Sequence, residues 1–362
     1  MRKTSTRLPF IPIIPILTAT ASRPSRAQCS LQSNALHTSN FQSVSIIEGP
    51  LHRVDINEFR RRAFTPGLPI AIKTIRDASR ASQAVDEKLE REAALPAIER
   101  WFAKAGAEDA EQNGNENRRG RVMSREYLHN FRETILPYEW FHEPREDPER
   151  GLGLRNGCPP NHPKNVIRVL ESLLDDSPGR KFHRLSAPLS IFLQACEIDP
   201  PIQNLYIAQA QIADLPRQLR DDLPTPRIVT DAGKGDVYDA NIWMGIPPTY
   251  TPLHKDPNPN LFVQLASSKN VRIFKPSDGN AIFAEVQRKL GVRSSFSIRG
   301  EEMMEGPERE VLGEAVWGPN APQRGYEVVV NPGDALFIPK GWWHSIKSIG
   351  GDVNASVNWW FR

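Results

Sequence analysis

The chain has 362 residues, 39% hydrophobic and 25% charged, a balance that excludes a disordered polyelectrolyte and fits a soluble globular protein of one large domain or two ordinary ones. Its 46 basic and 43 acidic residues give a net charge of +3; without the five bases of residues 1–47, 41 bases face 43 acids, a net of −2 that argues against a large nucleic-acid footprint. Three cysteines, Cys29, Cys158 and Cys196, form no C-x-x-C, which argues against a disulfide framework or a structural zinc cluster.

Residues 1–47 contain Arg2, Lys3, Arg7, Arg23 and Arg26 and no acid, with abundant Ser, Thr and Ala. That composition predicts a mitochondrial transit peptide. A secretory signal ending at Ala19-Thr20-Ala21, or an untargeted disordered tail that leaves the protein in cytoplasm or nucleus, are the competing readings. The apolar run Phe10–Leu17 is broken by Pro12 and Pro15 and is too short to span a membrane.

Folding is expected to begin near Ser45. Asp55 is placed to cap a helix beginning at Ile56, and Gly67–Ile72 reads as a turn into a strand. Asp86–Lys104 carries an apolar helical stripe in which Pro96 predicts a kink or break. Ala107–Arg121 reads as a polar surface loop and Tyr138–Cys158 as an irregular excursion. Asn165–Leu174 has helical spacing, Leu205–Ile212 alternates like a strand, and Asp214–Leu219 suits a helical turn.

From Tyr238 the chain becomes a series of short punctuated strands: Ala240–Ile246, Thr251–Lys255, Leu261–Ala266, Val271–Phe274, Glu327–Val330, Ala335–Ile338, His344–Ser348 and Ala355–Phe361. Such a series predicts a barrel or jelly roll. Ala281–Leu290 is expected to be a helix, and Val292–Gly325 a long insertion.

Within this series, His254 and Asp256 are two positions apart, and side chains at i and i+2 of a strand share a face. An isolated H-x-D is weak, since a surface or core histidine is the commoner case. Here the pair stands at the mouth of a strand. A second histidine, His344, follows an apolar strand that begins at the turn Pro332-Gly333-Asp334, and Lys269 lies fifteen positions after His254. Two histidines and one carboxylate leave the far side of a metal open, as in the facial triad of non-haem Fe(II) oxygenases.

The segments TPLHKDPNPNLFVQL, SSKNVRIFKP, NPGDALFIPKGWWHSI and ASVNWWFR, spread over Tyr238–Arg362, resemble the signature blocks of the JmjC-type, cupin-like 2-oxoglutarate oxygenases. The likeness is to the subgroup with the hypoxia-factor asparaginyl hydroxylase and the small JmjC-only hydroxylases. It implies a mainly β fold with flanking helices (α+β), built on a double-stranded β-helix, or jelly roll. It divides the chain into a tail (1–47), a mixed helical region packed on the core (48–236) and a catalytic core (237–362) with an insertion at 292–325.

The resemblance also implies cofactors and roles. Fe(II) would be held by His254, Asp256 and His344, with 2-oxoglutarate and O2 as cosubstrates and ascorbate as a stimulant. Lys269 would pair with the distal carboxylate of 2-oxoglutarate, with Thr251 and Tyr206 as hydroxyl partners; the competing reading of Lys269 is a charge in water at a turn. Asn260 and Asn358 match polar positions lining the pocket, Trp360 is expected near its wall, and Trp342 and Trp343 read as core. Two departures stand out: Lys255 replaces an aromatic residue common in relatives and should point away from the metal, and the chain stops at Arg362, without the C-terminal helices through which some relatives dimerise.

The implied activity is hydroxylation of a protein or peptide side chain with release of succinate and CO2. Lysine demethylation or oxidation of a tRNA base would use the same site. A jelly roll that keeps a metal without turnover is the non-enzymatic alternative.

Overall fold

A computed structural model describes residues 41–74, 95–104, 121–142, 163–174, 181–198, 201–291, 304, 306–322, 324–350 and 353–362, all within the unit Asn40–Arg362. Eight strands form two facing sheets: β1 (Val237–Gly245), β2 (Tyr250–Lys255), β3 (Asn260–Ala266), β4 (Ser268–Phe274), β5 (Tyr326–Val330), β6 (Ala335–Ile338), β7 (Trp343–Ile349) and β8 (Asn354–Phe361). One sheet runs β5-β4-β7-β2 and the other β6-β3-β8-β1. All pairs within these two runs are antiparallel, which makes the core the jelly roll that the spacing predicted.

Period-two alternation decides what each face does. On β3, Leu261, Val263 and Leu265 point outward into the larger core, and Asn260 and Phe262 point into the barrel. On β8, Val357, Trp359 and Phe361 go outward while Ser356, Asn358 and Trp360 go in. Burying each large outward side chain stabilises the fold by about 1.5–3 kcal/mol. Lys269, Val271 and Ile273 of β4 share the inner face by the same rule; the last two join the closed end of the barrel with Leu336 and Ile338.

The jelly roll does not stop at residue 237. Strands Leu205–Gln211, Ile135–Phe141 and Phe182–Pro188 extend the larger sheet beyond β1, and Ser45–Glu48 and Ile70–Lys73 extend it beyond β6. Gln42–Ser43 pairs with Tyr326–Glu327 of β5. Paired structure thus reaches back into the segment expected to be tail. Residues 1–40, which carry most of the targeting expectation, lie outside the described residues, as do 75–94, 105–120, 143–162 and 292–303.

Several elements differ from expectation. Of the helix expected over Asp86–Lys104, residues 86–94 lie outside the described residues; Pro96 is the N-cap of the short helix Ala97–Arg100, and Phe102–Lys104 is strand. The start of the excursion expected from Tyr138 is strand, because Tyr138 and Trp140 are buried between neighbours on both sides. The helix expected at Ala281 begins at Pro276, with proline in its first turn, and ends at Gly291 at φ 66°. The expected insertion contains a helix, Gly306–Trp317, whose Leu312 and Val316 pack with Pro276–Leu290 over the smaller sheet. Asp55 caps its helix by accepting from the N–H groups of Asn57 and Glu58. Among the described residues no helix is long and apolar enough to cross a membrane, and Cys196 is a free thiol.

Candidate metal centre

His254 sits near the end of β2 and His344 near the start of β7, directly opposite each other in the antiparallel register. Their ring centroids are 4.2 Å apart. Asp256 follows β2 immediately. His254 Nε2 lies 4.0 Å from Asp256 Oδ1, and His344 Nε2 lies 3.7 Å from Asp256 Oδ2. Ligand atoms of the three residues all fall within 4.8 Å of one another, and all three residues are buried.

Each imidazole is oriented by its other nitrogen. His254 Nδ1 bonds the carbonyl of Pro252 at 2.9 Å and His344 Nδ1 the carbonyl of Trp342 at 3.3 Å. A carbonyl can only accept, so both Nδ1 atoms carry a proton and both Nε2 atoms face Asp256. Burial works to raise the Asp256 carboxyl, but the positive imidazoles of His344 and His254, with the Trp360 indole and the Asn260 amide, outweigh it and hold it below its ordinary value. The three residues together offer two imidazole nitrogens and one carboxylate oxygen, a set that fits Fe(II).

All eight expected site residues line one cavity of about 300 Å³. Thr251 and His254 are three residues apart and would face opposite ways on a regular strand; a register irregularity between them brings both to the cavity. The same device brings in Tyr206 and Gln209, where the irregularity lies between Ile207 and Ala210 and Gln209 has φ 54°. Trp360 lines the wall, its indole N–H facing Asp256 without a satisfying hydrogen bond.

Deep in the cavity stands Lys269, 3% exposed. Its Nζ donates to Ser356 Oγ at 2.7 Å and to Tyr206 Oη at 3.4 Å, and lies 5.3 Å from the ring centre of Phe262. Among the described residues no acid pairs with it, and burial lowers its pKa to about 7. The reading of Lys269 as a turn residue in water does not hold. An ammonium buried beside two hydroxyls and no carboxylate fits an anionic ligand group.

Asn260 and Asn358 line the cavity and also support the carboxylate of the triad: Asn260 Nδ2 donates to Asp256 Oδ2 at 2.8 Å, and Asn358 Nδ2 donates to Asn260 Oδ1 at 3.3 Å. Lys255 points away, its Nζ 5.2 Å from the ring centre of Trp343. Trp342 and Trp343 are buried as core. Two functional neighbours escaped sequence reasoning, Ser356 and Trp243. Ser356 is two residues before Asn358 and so on the same face of β8; alternation was the signal that pointed to it.

The cupin-like domain family matches residues 92–362. The chain is 28% identical over 159 residues to lysine-specific demethylase 8 of Danio rerio, covering 43% of this chain and 36% of that protein. It is 26% identical over 161 residues to lysine-specific demethylase JMJ30 of Arabidopsis thaliana, covering 44% and 34%. It is 28% identical over 155 residues to JmjC domain-containing protein D of Dictyostelium discoideum, covering 40% and 32%. The likeness spans about a third of the length of these relatives. The family match covers most of the chain, and with the jelly roll it shows that the chain belongs to the cupin-like domain family.

Proposed function

We propose that the protein is an Fe(II)- and 2-oxoglutarate-dependent oxygenase that hydroxylates a protein or peptide side chain, releasing succinate and CO2. The observation that carries the reading is the pairing, in one cavity, of a two-histidine, one-carboxylate ligand set with a buried lysine that has no acidic partner among the described residues. Iron with 2-oxoglutarate and O2 supplies the oxidation of a substrate C–H bond. His254, Asp256 and His344 hold the metal with their donors aimed by Pro252 and Trp342 carbonyls. Lys269, Ser356 and Tyr206 hold the distal carboxylate of the keto acid, with Thr251 beside them. Phe262, Ile346 and Trp243 wall the cavity against water.

A second reading, oxidation of an N-methyl group of lysine, draws on the names of the demethylase relatives and on the cavity lining. Tyr238, Trp243 and Trp360 line the cavity together with Asp239, a combination of ring faces and carboxylate that suits an ammonium. The test is incubation with iron, 2-oxoglutarate, ascorbate and a cell-extract proteome, followed by mass mapping. A gain of one oxygen on an unmethylated residue, absent with His344→Ala, is expected. Formaldehyde release with loss of lysine methyl groups would replace hydroxylation by demethylation. Metal binding without stimulated succinate formation would leave a binding module.

A further inference from the structure

A hydrogen-bonded chain steps diagonally across the inner faces of β1, β8 and β3 and ends on the carboxylate of Asp256. Trp243 Nε1 donates to Asn358 Oδ1 at 2.7 Å, Asn358 Nδ2 to Asn260 Oδ1 at 3.3 Å, and Asn260 Nδ2 to Asp256 Oδ2 at 2.8 Å. Asn358 lies opposite Phe262, one diagonal step from Asn260, and opposite Asn241, one diagonal step from Trp243. Asn358, Asn260 and Asp256 are 2%, 5% and 6% exposed, so water has little access to this chain.

The order of donors and acceptors is not arbitrary. The two ends of an asparagine amide have nearly the same shape, so packing alone does not choose between them. An indole N–H can only donate. At the head of the chain it therefore holds the Asn358 oxygen toward Trp243 and the Asn358 NH2 toward Asn260. That NH2 holds the Asn260 oxygen, which leaves the Asn260 NH2 for Asp256. With the amides turned the other way, Asn260 Oδ1 would meet Asp256 Oδ2, acceptor against acceptor.

We propose that Trp243 is a positioning residue for the metal centre: its donor-only indole sets the polarity of the Asn358 and Asn260 amides and so holds Asp256 in its ligating orientation. The inference rests on reading His254, Asp256 and His344 as that centre. The Trp243 ring is also 6.2 Å from the Tyr206 ring, beside the cosubstrate group. Metal binding in the absence of 2-oxoglutarate therefore separates the two roles.

The experiment measures the dissociation constant of the full chain for Mn(II) alone, from the electron paramagnetic resonance of the free ion. Trp243→Phe keeps a ring and removes the donor; roughly tenfold weaker binding is expected, in the range seen when partners of metal ligands are removed. Asn260→Leu is expected to weaken binding at least as much, and Trp243→Phe to add nothing in the Asn260→Leu background, since both act through one chain. Asn358→Asp leaves the indole in place and supplies a second arm. Its carboxylate accepts from both Trp243 and Asn260, turning the Asn260 oxygen toward Asp256, so binding weakens although the added charge alone would strengthen it. Affinity within twofold of the parent in both Trp243→Phe and Asn358→Asp, or additive effects in the double variant, would overturn the proposal. Unchanged Mn(II) affinity in His344→Ala would instead remove the metal centre, and this inference with it.

Discussion

A Cβ built on Gly245 lies 2.1 Å from Cδ2 of Tyr206. No real side chain tolerates that approach, so the Tyr206 ring occupies space that only a glycine at the end of β1 leaves open. Tyr206 Oη is one of the two hydroxyls within reach of Lys269 Nζ. Gly245→Ala should therefore push the ring off the cosubstrate group without touching the metal ligands. The expected result is roughly tenfold weaker 2-oxoglutarate binding by calorimetry, the scale of one hydrogen bond to a charged group, with Mn(II) affinity unchanged. Equal loss of both affinities would mean that the substitution disturbs the whole barrel.

His254→Ala, Asp256→Ala and His344→Ala should each abolish iron-dependent 2-oxoglutarate decarboxylation and lower metal affinity by at least on the order of 100-fold, more than removal of an outer partner does. The fold should survive, because the hydrophobic clusters draw on none of the three. Bound iron, succinate yield and circular dichroism are the readouts. Wild-type turnover in a folded, metal-depleted variant would remove the triad.

Alternation made much of the barrel legible in advance. The shared face of His254 and Asp256, two positions apart, follows from period two; Asn358 came from the resemblance, and Ser356 on the same face of β8 was missed. The pairs Thr251/His254 and Tyr206/Gln209 do not obey period two; each needs an irregular register, which single-strand periodicity does not announce. Long-range polar anchors were equally silent. Asp222, 0% exposed, accepts from Arg100 Nη1, Trp101 Nε1 and Tyr127 Oη, which fastens two distant segments to one carboxylate. In sequence it is one of many acids in a polar stretch. The helix Gly306–Trp317 was hidden because its two glycines and several charges read as loop, and only packing of Leu312 and Val316 over the sheet commits it to helix.

The start of the fold gives a third prediction. Val44 and Ile47 are each 4% exposed, and Phe41 lies edge-on to Phe274 at 6.0 Å with the Arg272 guanidinium 4.2 Å from its ring centre. A chain beginning at Glu48 should be less stable than one beginning at Phe41 by about 3–6 kcal/mol, from burial of Val44 and Ile47 alone. Paired denaturant titrations of the two truncations measure this. Equal stability would mean that Gln42–Ser43 and Ser45–Glu48 contribute nothing to the sheets.

Lys269 gives the prediction with a sign. Burial lowers its pKa from the ordinary 10.5 to about 7, so above pH 7 the ligand-free side chain is mostly neutral, whereas in the unfolded chain it stays charged up to about 10.5. Between those values the unfolded state binds the extra proton, and stability of the ligand-free fold should rise with pH; below about 7 the cost of the buried charge is fully present. Lys269→Met should flatten that rise. The distal carboxylate of 2-oxoglutarate would restore the ammonium, so binding at pH 8 should take up close to one proton. Calorimetry in buffers of different ionisation enthalpy measures the uptake directly. The affinity for 2-oxoglutarate should then fall as pH climbs above 7. Lys269→Ala should weaken 2-oxoglutarate by about 2–5 kcal/mol, the scale of truncating one partner of a buried charge pair, and leave Mn(II) binding intact. Undiminished 2-oxoglutarate affinity in Lys269→Ala, with no proton uptake by the parent at pH 8, would take the cosubstrate away from this lysine and leave its burial without a functional reason.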